Sequence, residues 1–161
     1  MLVAGIGNGF VKIVTGGRRC GKSFLLFTIF HNYLLEQGVE EDHIIELSLD
    51  DRKSRALRNP DTLLDYVEQH LHQDGKTNFI ILDEIQLVDD FVEVLLSLMH
   101  LRNVELYVSG SNSKFLSKDV VTEFRGRGDE IRVWPLHFCF CAKIRPIMPI
   151  INSSIIKPAR R

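Results

Sequence analysis

The chain has 161 residues, 45% of them hydrophobic and 25% charged, with a formal net charge of -1. That is one domain's worth of ordinary globular composition, and it lacks the basic excess usual in nucleic-acid binders. Three cysteines, Cys20, Cys139 and Cys141, do not make a disulfide framework, and no stretch reaches the roughly 18 apolar residues of a membrane span. Met1 to Gly9 has neither a basic leader nor a long apolar run, so no signal peptide and a reduced, cytoplasmic setting are expected.

In chain order, Phe10–Val14 is a short β-rich run that stops at Thr15-Gly16-Gly17. The next apolar stretch, Ser23 to Gln37, has the length of a helix, and Gly38 stops it. Apolar side chains wrap most of its circumference, which predicts burial against a sheet. His43–Leu49 reads as a second strand ending at Asp50-Asp51. Asn59-Pro60-Asp61 opens another helix, with Pro tolerated in the first turn and the acid suited to the helix dipole. Phe79–Leu82 is a continuous apolar strand ending in Asp83-Glu84. An amphipathic helix over about Asp90–His100 follows, then strands Val104–Val108 and Ile131–Trp134. Strands alternating with helices, several of them apolar on both faces, predict a parallel sheet covered on both sides. Gly16, Asp50, Asp83 and Ser109 then collect at the strand C-termini, the edge at which open α/β sheets bind ligands. Residues 139–161 carry five Lys or Arg, no acid and three of the five prolines, and read as an irregular basic tail with no helical period.

The chemistry is concentrated in Gly16-Gly17-Arg18-Arg19-Cys20-Gly21-Lys22-Ser23, which fills every fixed position of G-x-x-x-x-G-K-[ST] between a strand and a helix. Glycines let backbone N–H groups converge on phosphates, Lys22 adds positive charge at the β- and γ-phosphates, and the Ser23 hydroxyl suits Mg²⁺. The loop and the first helical turn, through Phe24, are the expected nucleotide contacts. Asp83 is expected to hold Mg²⁺ opposite Ser23, and Glu84 to orient or deprotonate the attacking water. Ser109-Gly110-Ser111-Asn112 offers small polar groups toward a γ-phosphate, or is an ordinary polar turn. Arg125 and Arg127, on Phe124-Arg125-Gly126-Arg127-Gly128, suit a phosphate on a neighbouring molecule, or are solvated surface residues.

Other features weigh less. His137, Cys139 and Cys141 make three soft ligands on one extended segment, one short of the usual zinc set. Cys20, beside Arg19, Lys22 and a helix start, is a reactive thiol or a tolerated loop residue. His70 and His72 cannot share a helix face and are expected at the surface.

In this order, these elements resemble an AAA+ ATPase. More narrowly, the chain is similar to the prokaryotic predicted ATPases that pair an N-terminal AAA domain with a C-terminal domain of uncertain role. The resemblance is carried by the basic pair Arg18-Arg19 in the P-loop and by Leu47-Ser48-Leu49-Asp50-Asp51. It is carried also by Asp83-Glu84-Ile85-Gln86 as the Walker B continuation, Gly110-Ser111, Gly126-Arg127 and Pro135-Leu136-His137-Phe138. It covers about residues 9–138 and implies an α/β three-layer P-loop fold, with a parallel five-stranded sheet of order 5-1-4-3-2. It further implies ATP with Mg²⁺, Ser111 and Asn112 as sensor 1, and Arg127 as the arginine finger with Arg125 second. Oligomers would form through Arg127, a nucleic-acid partner enters by family analogy alone, and no membrane is involved.

Residues 1–138 are the expected ATP-binding core. The family pattern stops near Phe138, so a truncated or frameshifted member without the helical lid is expected. The alternatives are a nucleotide-binding module without turnover or a P-loop kinase, against which the Asp83-Glu84 pair argues. No Asn-Lys-x-Asp guanine motif is present.

Overall fold

The structure, a computed structural model, describes residues 2–111, 124 and 127–134. Its centre is a five-stranded parallel sheet of order β2-β3-β4-β1-β5, the expected 5-1-4-3-2 read from the other edge. The strands are β1 (Val11–Gly16), β2 (Ile44–Ser48), β3 (Asn78–Asp83), β4 (Val104–Ser111) and β5 (Gly128–Val133).

β1, β3 and β4 lie inside the sheet, so residues on both their faces are buried and their sequences are mainly apolar, with Lys12 of β1 and Glu105 of β4 buried as an ion pair. Alternation along each strand sends side chains to two separate cores. Val14, Phe79, Ile81, Tyr107 and Ile131 meet Leu26, Phe30 and Leu34 on one face. Ile13, Ile45, Leu47, Ile80, Leu82, Leu106 and Val108 meet two helices on the other, through Leu63 and Val67 of one and Val94, Leu95 and Leu98 of the second. The result is helix, sheet, helix in three layers.

The first helical segment runs without a break through α1 (Lys22–Phe24), a π-helical stretch (Leu25–Phe30) and α2 (His31–Glu36). It therefore begins one residue before the predicted start. It packs against the sheet as expected, through Leu26, Phe30 and Leu34, whereas Phe24, Ile29 and Leu35 are exposed. A sheet covers only one stripe of a helix, however apolar the rest of its circumference.

On the opposite face, α3 (Pro60–His70) starts where expected, with the Asn59 side chain accepting from the Thr62 N–H at 3.1 Å. α4 (Phe91–Met99) completes that layer. β5 begins three residues earlier than the apolar pattern indicates, because its polar start, Gly128-Asp129-Glu130, pairs with Val11-Lys12-Ile13 at the sheet edge.

Candidate functional site

The C-terminal ends of the strands converge beside the loop that joins β1 to α1. Gly16 pairs with Ser111 on β4, and Ser48 on β2 pairs with Asp83 on β3. Asp83 continues the face of Phe79 and Ile81, and Ser109 continues the face of Tyr107, so both acquire the side on which α1 begins.

The loop is built by backbone constraints. Gly21 has φ +94° and Arg19 φ +64°, two left-handed residues that turn the chain before the helix. Gly16 admits no side chain, since a Cβ there would stand 2.5 Å from the Val133 carbonyl oxygen and 2.7 Å from Cys20 Sγ. At Gly17 a Cβ would meet nothing within 4 Å. Gly17, Arg18 and Arg19 are exposed, as is Phe24. Cys20 is buried, with its N–H on the Gly17 carbonyl at 3.2 Å. Of the two readings of Cys20, its burial favours the tolerated loop residue: the sulfur fills the space beside Gly16.

Lys22 is 5% exposed, with Nζ 3.5 Å from the carbonyl oxygens of Gly16 and Gly17 and 3.9 Å from Glu84 Oε1. Ser23 Oγ donates to Asp83 Oδ2 at 2.6 Å. Asp83 is nearly sealed from solvent at 2% exposure. Glu84 has φ +56°, a left-handed conformation rare outside glycine, and it turns the chain from β3 into the 3-10 turn Ile85–Leu87. Its Oε2 accepts from Gln86 Nε2.

Two further groups complete the cluster: Ser109, which the sequence had placed among several small polar residues at the strand edge, and Gln86. Ser109 is fully buried, donates to Asp83 Oδ1 and accepts the Glu84 N–H at 3.3 Å. Its signal in the sequence was position: two residues beyond Tyr107, it had to share that residue's face of the sheet. Gln86 had been noted only as part of a motif.

Lys22, Ser23, Asp83 and Glu84 are thus brought together. Ser111 closes β4 opposite Gly16, and its side chain falls outside the described residues, as do Asn112, Arg125, His137, Cys139 and Cys141. Arg127 is not brought to this edge. It precedes β5 at the other end of the sheet, where its carbonyl accepts the Val11 N–H at 3.0 Å. A strand's length, roughly 16 to 20 Å, separates it from Gly16.

Asp50 and Asp51 occupy the turn after β2, bonded locally to Ser48 Oγ and the Lys53 N–H. A hollow of about 570 Å³ runs beside edge strand β2, lined by His31, Glu46 and Tyr66 among others, and shares no residue with the loop. No helix among the described residues is long and apolar enough to cross a membrane.

A parallel sheet of this order, with a strand–loop–helix at its C-terminal edge, defines the nucleotide-binding α/β class of P-loop folds. The chain belongs to the AAA domain family, whose model matches residues 8–140. It is similar to an uncharacterised protein of Haemophilus influenzae, 28% identical over 129 residues covering 80% of this chain and 32% of that protein. An uncharacterised protein of Methanocaldococcus jannaschii is 26% identical over 137 residues, covering 80% of this chain and 27% of its own length. The chain therefore spans about a third of the length of the curated relatives it matches. Among solved structures it is similar to C. elegans PCH-2, with a TM-score of 0.58 at 14% identity, covering 94% of this chain and 44% of that one. It is similar also to AMPPCP-bound DnaA of Aquifex aeolicus, with a TM-score of 0.53 at 16% identity, covering 90% and 49%. At these identities the likeness is one of fold.

Proposed function

We propose that the chain is the ATP-binding core of an AAA+ ATPase and that its site is the loop Gly16–Ser23 facing Asp83 and Glu84. The observation that carries this reading is the contact of Ser23 Oγ with Asp83 Oδ2 at 2.6 Å, beside a buried Lys22. A hydroxyl and a carboxylate at adjoining strand and helix ends are hard oxygen donors. Two protein oxygens suit Mg²⁺, which keeps several waters and takes its remaining ligands from phosphates. Mg²⁺ bound there would neutralise charge on the β- and γ-phosphate oxygens.

The chain's own groups do the positioning. The N–H groups of Gly17 to Phe24, including those of Arg18 and Arg19, turn around the left-handed residues Arg19 and Gly21 and supply anion-binding donors, while the Cys20 N–H closes the loop on the Gly17 carbonyl. Lys22 exchanges two weak carbonyl contacts for the phosphate oxygens. Glu84, held by Gln86 and by its left-handed backbone, is the base that orients water for attack. In this reading Ser111 and Asn112 sense the γ-phosphate. Arg127, a strand's length from the chain's own loop, acts on a neighbouring protomer, with Arg125 as second candidate. Residues 1–138 form the binding unit, and 139–161 are an appended segment.

A second reading is a nucleotide-binding module without turnover. Titration of a fluorescent ATP analogue with Mg²⁺, run beside a phosphate-release assay, separates the two. Binding that Lys22→Ala abolishes supports the site, and phosphate release supports the ATPase. Unchanged affinity in Lys22→Ala rejects both readings.

A further inference from the structure

We infer that Ser109 is a positioning residue for the Asp83-Glu84 pair, a role that rests on the site proposed above. A serine hydroxyl has one proton to give and two lone pairs to receive. Ser109 uses both capacities within the site: it donates to Asp83 Oδ1 and accepts the Glu84 N–H at 3.3 Å. Ser23 takes the other oxygen, Oδ2, of the same carboxylate. Asp83 is therefore gripped from two sides, and its rotation about the side-chain bonds is fixed with Oδ2 toward the loop.

The bond to the Glu84 N–H has a separate consequence. Glu84 adopts φ +56°, a strained conformation for a non-glycine residue that persists only where its surroundings hold it. The hydroxyl of Ser109 holds the start of that turn, and the turn brings Glu84 Oε1 to 3.9 Å from Lys22 Nζ. One buried side chain thus sets both the carboxylate assigned to Mg²⁺ and the one assigned to water. Both of the bonds made by the Ser109 hydroxyl go to the Asp83-Glu84 pair. It acts through its neighbours.

The structure also explains why position 109 must be polar and small. Asp83 and Ser109 are 2% and 0% exposed, and a buried carboxylate oxygen without a donor loses its hydration uncompensated. An alanine at 109 would leave Asp83 Oδ1 and the Glu84 N–H both without that partner.

The test compares Ser109→Ala and Ser109→Thr with the unsubstituted chain, reading the Kd of a fluorescent ATP analogue with and without Mg²⁺. Amide exchange across Asp83-Glu84 is followed in the nucleotide-free chain. Ser109→Ala is expected to weaken the Mg²⁺-dependent part of binding by roughly tenfold, as losses of metal-orienting partners do, while Mg²⁺-free affinity stays within about twofold. Exchange at Glu84 accelerates in the same variant, and Ser109→Thr restores both. Should Ser109→Ala not fold, Ser109→Cys, close in size and a poor donor, carries the comparison.

An unsubstituted chain whose nucleotide affinity responds to Mg²⁺, with a Ser109→Ala variant that responds equally, overturns this inference alone. An unsubstituted chain with no Mg²⁺ response overturns the proposed site along with it.

Discussion

Ser23 Oγ and Asp83 Oδ2 stand 2.6 Å apart, though 60 residues separate them in the chain. This bond ties the first turn of the helix after β1 to the end of β3, and it spans the point at which the sheet opens toward the loop. A double-mutant cycle with Ser23→Ala and Asp83→Asn should therefore show coupling. Denaturant unfolding of the nucleotide-free chain is expected to give an interaction energy of about 0.5–3 kcal/mol, the range for directly bonded neighbours. Additive effects would mean that the two side chains do not meet in solution.

Glu84 is assigned to water and not to the nucleotide. Replacing it with glutamine keeps the volume and the bond to Gln86 while removing the base. Phosphate release is expected to fall by about 10²-fold or more, with nucleotide affinity nearly unchanged. A comparable loss of affinity would move Glu84 into the binding machinery.

Gly16 and Gly17 are adjacent glycines with opposite tolerances. A methyl group at Gly16 would meet the backbone of β5 at 2.5 Å, whereas one at Gly17 meets open space. Gly16→Ala should destabilise the chain by about 1–3 kcal/mol, the usual cost of overpacking, because a strand backbone cannot swing aside as a side chain can. Gly17→Ala should be close to neutral. Urea titrations of the two variants make the comparison.

At the opposite edge of the sheet, Lys12 is fully buried against Glu105, whose other oxygen accepts the Gly7 N–H at 3.0 Å. Removing the cation alone leaves a buried charge without its partner. Lys12→Met is expected to cost about 3–5 kcal/mol of stability. Combining it with Glu105→Leu should recover a substantial part of that loss, because two apolar groups need no compensation. A double variant no more stable than the single one would show that the pair does not act as a unit.

Burial pushes the Tyr107 hydroxyl well above its ordinary value of 10.0, and the nearby Glu105 and Tyr33 add to the shift. The sign follows directly. The folded chain keeps the phenol neutral where the unfolded chain ionises it, so this contribution to stability is whole below pH 10 and is lost as pH rises above it. Absorbance at the tyrosinate band should show a late step that coincides with alkaline unfolding, and Tyr107→Phe should abolish it. A titration of Tyr107 completed before unfolding would contradict its burial.

Much of this was legible in the chain itself. The unbroken apolar run at Phe79–Leu82 marks an interior strand, because a strand buried on both faces has no polar side to alternate with. Asn59-Pro60-Asp61 marks the start of α3 through local bonds alone, the Asn59–Thr62 cap among them. β5 was harder: Gly128-Asp129-Glu130 carries no apolar signal, and only its pairing with β1 makes those residues a strand.

By itself the sequence determined which chemical groups are present and near which turn each falls. Gly16, Gly21, Lys22 and Ser23 stand at fixed spacing because a loop of that length must bend, and the acids Asp83-Glu84 end a strand that only a sheet interior accommodates. What tertiary structure alone decided is which face each strand end presents. Parity along β3 and β4 sends Asp83 and Ser109 to the side of α1, which brings the first serine of the Ser109-Gly110-Ser111-Asn112 turn against the central carboxylate. The same geometry sends Arg127 to the far edge. A one-dimensional pattern records period, and period tells face from face only once the strands have been laid side by side.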